Sequence, residues 1–331
     1  MSDPQNHSFH APPPPPSLPT PAQRPTKLRI AGIVVFILGL IVAVGGLAKF
    51  IPSGIGGGGA LCAMGVILFA FGFIPLPQVD SAEGPMSPPA KLTGIFFEPS
   101  RVFRNLRAYP RWIAAYLVVC VLTVVYSAAF VQRLTPERIV NFTIDKVAES
   151  GFVPADRVEQ VREQQLDQAK NPIARVLTVA RSFVVVFVFY SFLAGLLLLG
   201  ILAFGGRINY WQSFAAVVYA SVPVTVIQKV LSLIILYVKS PDDIHPILNA
   251  ETLVQDNLGA LVTPATHPVL FVAATSIGLL SFYRIWLTAR GLQLAGTKVS
   301  STAAWSVTVI LFILAMITGM IFAALFSSFL S

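Results

Sequence analysis

Seven long runs free of Asp, Glu, Lys and Arg, at residues 30–48, 50–79, 112–132, 182–206, 208–228, 257–283 and 299–331, constrain this chain more than any motif in it. Most exceed the roughly 20 apolar residues that an α-helix needs to cross a hydrocarbon core of about 30 Å. Backbone amides in lipid must be satisfied within their own segment, which leaves helices or a closed barrel, and these runs lack the alternating polarity of barrel strands. The expected fold is therefore an all-α, polytopic transmembrane helical bundle of seven spans. Composition agrees. Hydrophobic residues make up 55% and charged residues 11% of the chain, against about 25% charged in soluble domains. Cys62 and Cys120 both fall inside runs, so they form no disulfide framework and reveal no redox compartment.

The net charge of +8 does not point to nucleic acid, because its distribution follows the spans. Arg24, Lys27 and Arg29 precede the first run, while Lys91, Arg101, Arg104, Arg107 and Arg111 lie between the second and third. Arg207 separates the fourth from the fifth, and Arg284, Arg290 and Lys298 surround the sixth-to-seventh turn. The intervening short loops hold only Lys49 and Lys239. Basic short loops stay cytoplasmic, so the amino terminus is expected inside and the carboxyl terminus outside. Residues 133–175 carry seven basic and seven acidic side chains; this longer polar segment is expected to translocate as an external helical insertion, with one helix from Pro136 to near Gly151 and another from Pro154 to about Lys170.

Residues 1–27 form a tail with nine prolines, including Pro12 to Pro16, which is expected to be solvated and disordered. Residues 28–79 make a transmembrane hairpin around the glycine run Gly56 to Gly59. In its first helix Gly32, Gly39 and Gly46 recur every seven residues, giving one smooth packing face. Gly59 and Ala63 offer a similar surface on the second. Residues 80–90 are a linker rich in Pro, Ser and Gly. Next, residues 91–111 are expected to be an interfacial amphipathic helix. Val102, Phe103, Leu106 and Tyr109 share one face while Arg101, Arg104, Arg107 and Arg111 gather on the other, so the first face would sink into the acyl boundary and the arginines would meet anionic headgroups.

Ionisable groups in a bundle are functional candidates. Arg181, Lys229 and Arg284 lie toward the ends of predicted spans, where snorkelling to headgroups explains them. Acids are absent from all seven runs, so the carboxylate that a proton- or sodium-coupled carrier uses is missing. Metalloprotease, serine-elbow and phosphate-loop signatures are also missing, and no cofactor or catalytic residue is indicated. Asp242, Asp243, His245, Glu251 and Asp256 read as a hydrated loop, not a metal site.

The segment GIFFEPSRVFRNLRAYPRWIAAYLVV at 94–119 resembles the opening of the Yip domain, a phenylalanine- and proline-rich lead-in to a first membrane helix. GGRINYWQSFAAVVYASVP at 205–223 resembles that family's polar connection and following helix, with Tyr219 and Pro223 in its places. The resemblance covers residues 91–331 and implies a five-helix core preceded by the extra hairpin. It implies no catalytic residues. Eukaryotic Yip proteins associate with Rab-type GTPases in secretory membranes; the hairpin, tail and insertion depart from that pattern and favour a bacterial cytoplasmic-membrane relative.

In the last span Ala315, Gly319, Ala323 and Ser327 recur at four-residue spacing, a row that lets helix backbones approach closely. Pro223 deprives the Tyr219 carbonyl of its usual partner and predicts a kink. The reading that unites these features is a non-enzymatic integral membrane protein organising membrane shape or partner proteins. Its expected contacts are anionic headgroups at the cytoplasmic face and a membrane-protein partner or a second copy of the chain. The alternative is a permease or channel with a polar path past Ser221, Pro223, Thr225 and Gln228.

Overall fold

A computed structural model describes residues 24–78, 84–149 and 154–325. Residues 1–23, which hold all but one of the tail's prolines, and Ser327 lie outside the described residues, whereas Thr26 and Lys27 of the expected tail are already helical. Twelve α-helices and two short 3-10 turns account for the described secondary structure, joined by two isolated β-bridges. Six helices are long and apolar enough to cross a membrane: α1 (Thr26–Leu47), α2 (Gly54–Phe71), α5 (Ile113–Leu134), α8 (Pro172–Ala203), α9 (Tyr210–Val238) and α12 (Ser301–Leu325). The all-α polytopic bundle is thus the fold.

The run at 257–283 does not form a span. Asn257 bridges Gly278, closing an apolar excursion that holds a 3-10 turn at Leu258–Leu261 and the nine-residue α10 (Pro268–Ser276). The chain then begins α11 (Leu279–Ala295). Pro264 and Pro268 prevent one helix from running through the segment, and the Asp256 carboxylate and carbonyl accept from the first amides of α11, Leu280 and Leu279. Arg284 and Arg290 therefore stand on a helix, not in a turn.

Helices α1 and α2 form a tight hairpin. A Cβ on Gly32 would stand 2.5 Å from the Phe69 amide, and one on Gly39 2.6 Å from the Cys62 amide; Gly46 is closed off by Gly54 and Ile55. The heptad glycines of α1 thus meet backbone, as their spacing predicts. Their partners are Gly54, Gly58 and Gly65, while Gly59 faces open space and Ala63 is exposed, so the small face of α2 is one residue away from the expected one. The reversal is not at Gly56 to Gly59 either. Those residues are helical, and the turn is Ala48 to Ser53, with Lys49 (φ 61°) and Ser53 (φ 58°) in the left-handed region. Arg29 secures the other end, donating to the Gly72 carbonyl (2.9 Å) and lying over the Phe73 ring. Most of α1 faces outward. The hairpin leans on α8 and α9 through Gly57 against Leu177 and through Phe71, whose ring lies 4.8 Å from that of Tyr210 and 5.8 Å from that of Trp211.

Between α5 and α8 stand α6 (Pro136–Glu149) and α7 (Ala155–Lys170), the two polar helices expected there. Arg162 of α7 ties them, reaching Asp145 at 2.8 Å and Asn141 at 3.0 Å. Together with the loop at 239–257 they close the end of the bundle remote from the lead-in. Tyr126, Phe130, Leu134, Leu236, Ile244 and Leu253 form a separate apolar cluster there. The acidic loop is structural: Asp242 pairs with Arg138 (2.9 Å), and His245 Nδ1 accepts from the Ile247 and Leu248 amides. Burial, then Lys146, lowers the His245 pKa. Among the described residues, no group of three His, Cys, Asp or Glu side chains is placed to hold a metal.

Lys229 is buried in the same region. Its ammonium donates to the Glu251 carbonyl, lies 3.5 Å from the Glu251 carboxylate and 4.8 Å from the centre of the Tyr126 ring. A paired cation in this position explains why α9 continues ten residues beyond Gln228, where its uncharged run stops.

Candidate functional site

The lead-in at 91–111 is two helices, not one. α3 (Pro88–Phe97) starts under a Ser87 cap and α4 is Pro99–Ala108, with Glu98 in a non-helical conformation between them. Pro99 has no amide with which to continue the α3 ladder, yet suits the first turn of the next helix. Tyr109 and Arg111 lie beyond α4, in the short non-helical approach to α5.

The amphipathic pattern of α4 is present, but protein takes up its apolar face. Val102, Phe103 and Leu106 are each 0% exposed. The Phe103 ring lies against Gly291 of α11 at a place where a Cβ would come within 2.9 Å. The face expected to enter the acyl boundary is therefore the seam that joins α4 to α11. Arg101, Arg104 and Arg111 remain exposed, and Arg101 makes a solvated pair with Glu98 at 3.2 Å.

Arg107 turns inward. Its Nε donates to the Gly296 carbonyl at 2.8 Å, and Nη2 reaches the same oxygen. Its own carbonyl accepts from Gln212 Nε2 at 2.7 Å. Gln212 is doubly used, because its Oε1 accepts from the Asn209 amide in a capping box that starts α9. Next to this clamp, Arg207 and Lys298 form an antiparallel bridge, joining the α8–α9 and α11–α12 connections. Trp211 Nε1 and Asn209 Nδ2 donate to the Ile74 and Pro75 carbonyls, which fixes the end of the hairpin to the same place. Four segments far apart in sequence thus meet at one end of the bundle.

Two buried polar side chains complete the joint. Asn105 donates to the Gly84 carbonyl at 3.0 Å and accepts from the Met86 amide. Lys91 is 1% exposed and donates to the Tyr109 carbonyl at 2.8 Å. Burial, and then the neighbouring Arg111, push its pKa down to about 8. Beneath them lies a knot of rings in which Trp112 meets Phe214 edge-on at 5.0 Å and packs with Tyr116 and Phe187. A cleft of about 370 Å³ opens beside the clamp, lined by Pro77, Leu202, Arg207, Asn209 and Thr297 among others.

The remaining candidate residues lie apart from this joint. Gly319 of α12 faces Val272 of α10 and Ala323 is buried, whereas Ala315 is exposed. Ser221 and Pro223 are buried within the unbroken helix α9, and the Ser221 hydroxyl donates to the Val217 carbonyl. Thr225 and Gln228 are half-buried. Neither the cleft beside the clamp nor a second one of about 290 Å³ near Gly57 and Arg181 is lined by any of these four.

A family model of the Yip1 domain matches residues 93–323. The chain belongs to the Yip1 domain family. The match begins inside α3 and ends in α12, so the clamp, with Arg107, Gln212 and Gly296, is part of the Yip1 domain and the α1–α2 hairpin lies outside it. Comparison with curated proteins and with solved structures returns no match. The resemblance at 94–119 and 205–223 fell on the two segments that Arg107 and Gln212 hold together. The sequence singles out none of Asn105, Gln212 and Gly296, and marks Lys91 only as one of the basic residues between the second and third runs. Only the Asn209-to-Gln212 spacing, that of a capping box, carried a readable signal.

Proposed function

We propose that this Yip1 domain is a non-enzymatic scaffold that organises membrane shape or partner proteins from its lead-in end. The observation that supports this reading is the outward pair Arg101 and Arg104 on a helix whose other face is locked in protein, with the exposed Arg111 just beyond its end. A flexible amphipathic anchor spends its apolar face on lipid. Here that face is committed to α11, so the arginines form a fixed basic platform for anionic headgroups, each contributing about 1 kcal/mol near a charged surface. With this end in the cytoplasm of a bacterial cell, α11 is the seventh crossing and the carboxyl terminus is external. The binding class is anionic lipid together with a membrane-protein partner or a second copy.

The test uses the full chain reconstituted in vesicles of phosphatidylcholine with and without phosphatidylglycerol. The expected result is that anionic lipid becomes enriched around the native protein. Replacing Arg101, Arg104 and Arg111 together by Gln should abolish the enrichment while leaving the fold intact. Equal enrichment around the triple variant would overturn the reading. The permease alternative has no such support, because its four polar-path residues line neither cleft.

A further inference from the structure

Arg207 and Lys298 are held side by side by backbone alone. The Arg207 amide donates to the Lys298 carbonyl at 2.7 Å and the Lys298 amide to the Arg207 carbonyl at 3.2 Å, so the two residues form a directly opposed antiparallel pair. In such a pair both side chains leave the ladder on the same face, with Cβ atoms about 4.5–5.5 Å apart, and like charges placed this way repel. Thr297 locks the arrangement, because its amide (2.9 Å) and its hydroxyl (3.1 Å) both donate to the Arg207 carbonyl. The backbone cannot relieve the repulsion by parting without giving up these bonds.

Nothing among the described residues neutralises the pair. Both residues are exposed, and neither side chain makes a hydrogen bond or an ion pair there. Of the described acids only Glu98 belongs to the lead-in end, and it is spent on Arg101. Arg107, anchored at Gly296 two residues before Lys298, adds a third positive charge to the neighbourhood. The cleft of about 370 Å³ opens at this pair, and no described acid lines it; small-ligand sites span about 300–1,000 Å³. Of its polar walls, Asn209 and Gln212 already donate through their side-chain amides to the Pro75 and Arg107 carbonyls. The Arg207 guanidinium is left as the cleft's uncommitted cation. The pair also stands between Ala203, the last residue of α8, and Ser301, the first of α12, which places it at the ends of two membrane-crossing helices.

We propose that Arg207 and Lys298 together bind one phosphate group at the mouth of this cleft. The planar guanidinium takes two of its oxygens side by side and the ammonium, a point charge with three donors, takes a third. A phosphate so held supplies the counter-charge that the bridge otherwise lacks. Two sources present this chemistry, a lipid headgroup and soluble phosphate. The level at the helix ends and the exposed Leu202 on the cleft wall suit the lipid, with its acyl chains along α8. The site shares no residue with Arg101, Arg104 and Arg111, so it and the basic platform can each fail alone.

The test uses the full chain, stripped of lipid in detergent, in two arms. In one, equal amounts of phosphatidylglycerol and phosphatidylcholine are offered and the lipids that stay bound are weighed by native mass spectrometry. In the other, thermal unfolding is followed with inorganic phosphate against chloride at matched ionic strength. A lipid source predicts one retained phosphatidylglycerol, favoured about tenfold over phosphatidylcholine, and no response to phosphate. A soluble source predicts the reverse, a higher unfolding temperature in phosphate. In either case Arg207→Gln with Lys298→Gln should remove the response without lowering the ligand-free unfolding temperature, since the bridge is made by backbone. The triple Gln variant of Arg101, Arg104 and Arg111 should keep it. A response in neither arm, or one that survives the double variant, would overturn the proposal. So would a response that appears only after Asp80→Asn and Glu83→Gln, which would assign the pair to the chain's own segment at 79–83.

Discussion

Arg107 holds α4 to the end of α11 and the start of α9 at once, through two donors to Gly296 and one carbonyl to Gln212. Charge-assisted bonds of this kind contribute about 1.5–3 kcal/mol, and a lysine cannot reproduce the planar fork. Arg107→Ala should therefore cost about 2 kcal/mol of stability, and Arg107→Lys should recover only part of it, as read by thermal unfolding in detergent. Lys91 makes the opposite prediction. Its folded pKa of about 8 lies below its ordinary value of 10.5, so between those values the unfolded chain binds more protons and stability rises with pH. Below about pH 8 the cost of burying the ammonium is present in full. Lys91→Met should leave the protein at least as stable at pH 7 and should flatten the rise between pH 8 and 10. Persistence of that slope in the variant would place its origin elsewhere. Among these residues, the α4 periodicity was legible but its consequence was not: nothing local says that Phe103 meets a glycine 188 positions away.

At the scale of the element, sequence and structure part company where apolarity and crossing diverge. The run at 257–283 is uncharged and long, yet it folds as a capped excursion because two prolines and the Asn257–Gly278 bridge divide it. Helix α11 carries Arg284 and Arg290, so an uncharged-run criterion passes over it. Conversely the α1 glycines were readable, since a seven-residue repeat of small side chains has one purpose in a membrane helix, close approach. Their partners on α2 were not, because four consecutive glycines leave the facing one ambiguous. Gly58→Leu would drive a side chain to within 2.6 Å of the Gly39 carbonyl, whereas Gly59 faces open space. The first variant should lose about 1–3 kcal/mol and the second less than about 0.5 kcal/mol. Comparable thermal stability for the two would mean that the hairpin is packed in another register.

For the whole molecule, one end of the bundle is a joint of four segments and the other a polar cap built by α6, α7 and the loop at 239–257. The chemistry of each end suits a different side of the membrane: exposed arginines at the joint, paired acids and bases at the cap. Six helices satisfy the length of a span on their own. In the proposed topology α11 is a seventh crossing, its 17 residues rising about 25 Å between Asp256 and the Arg107 clamp. The external carboxyl terminus proposed above depends on that crossing. The direct measurement is cysteine accessibility in intact cells, with Cys62 and Cys120 replaced by Ala and single cysteines placed at Arg24 or Leu325. Labelling by an impermeant maleimide at 325 alone is the predicted result, and labelling of both positions, or of neither until the cells are broken, would contradict it.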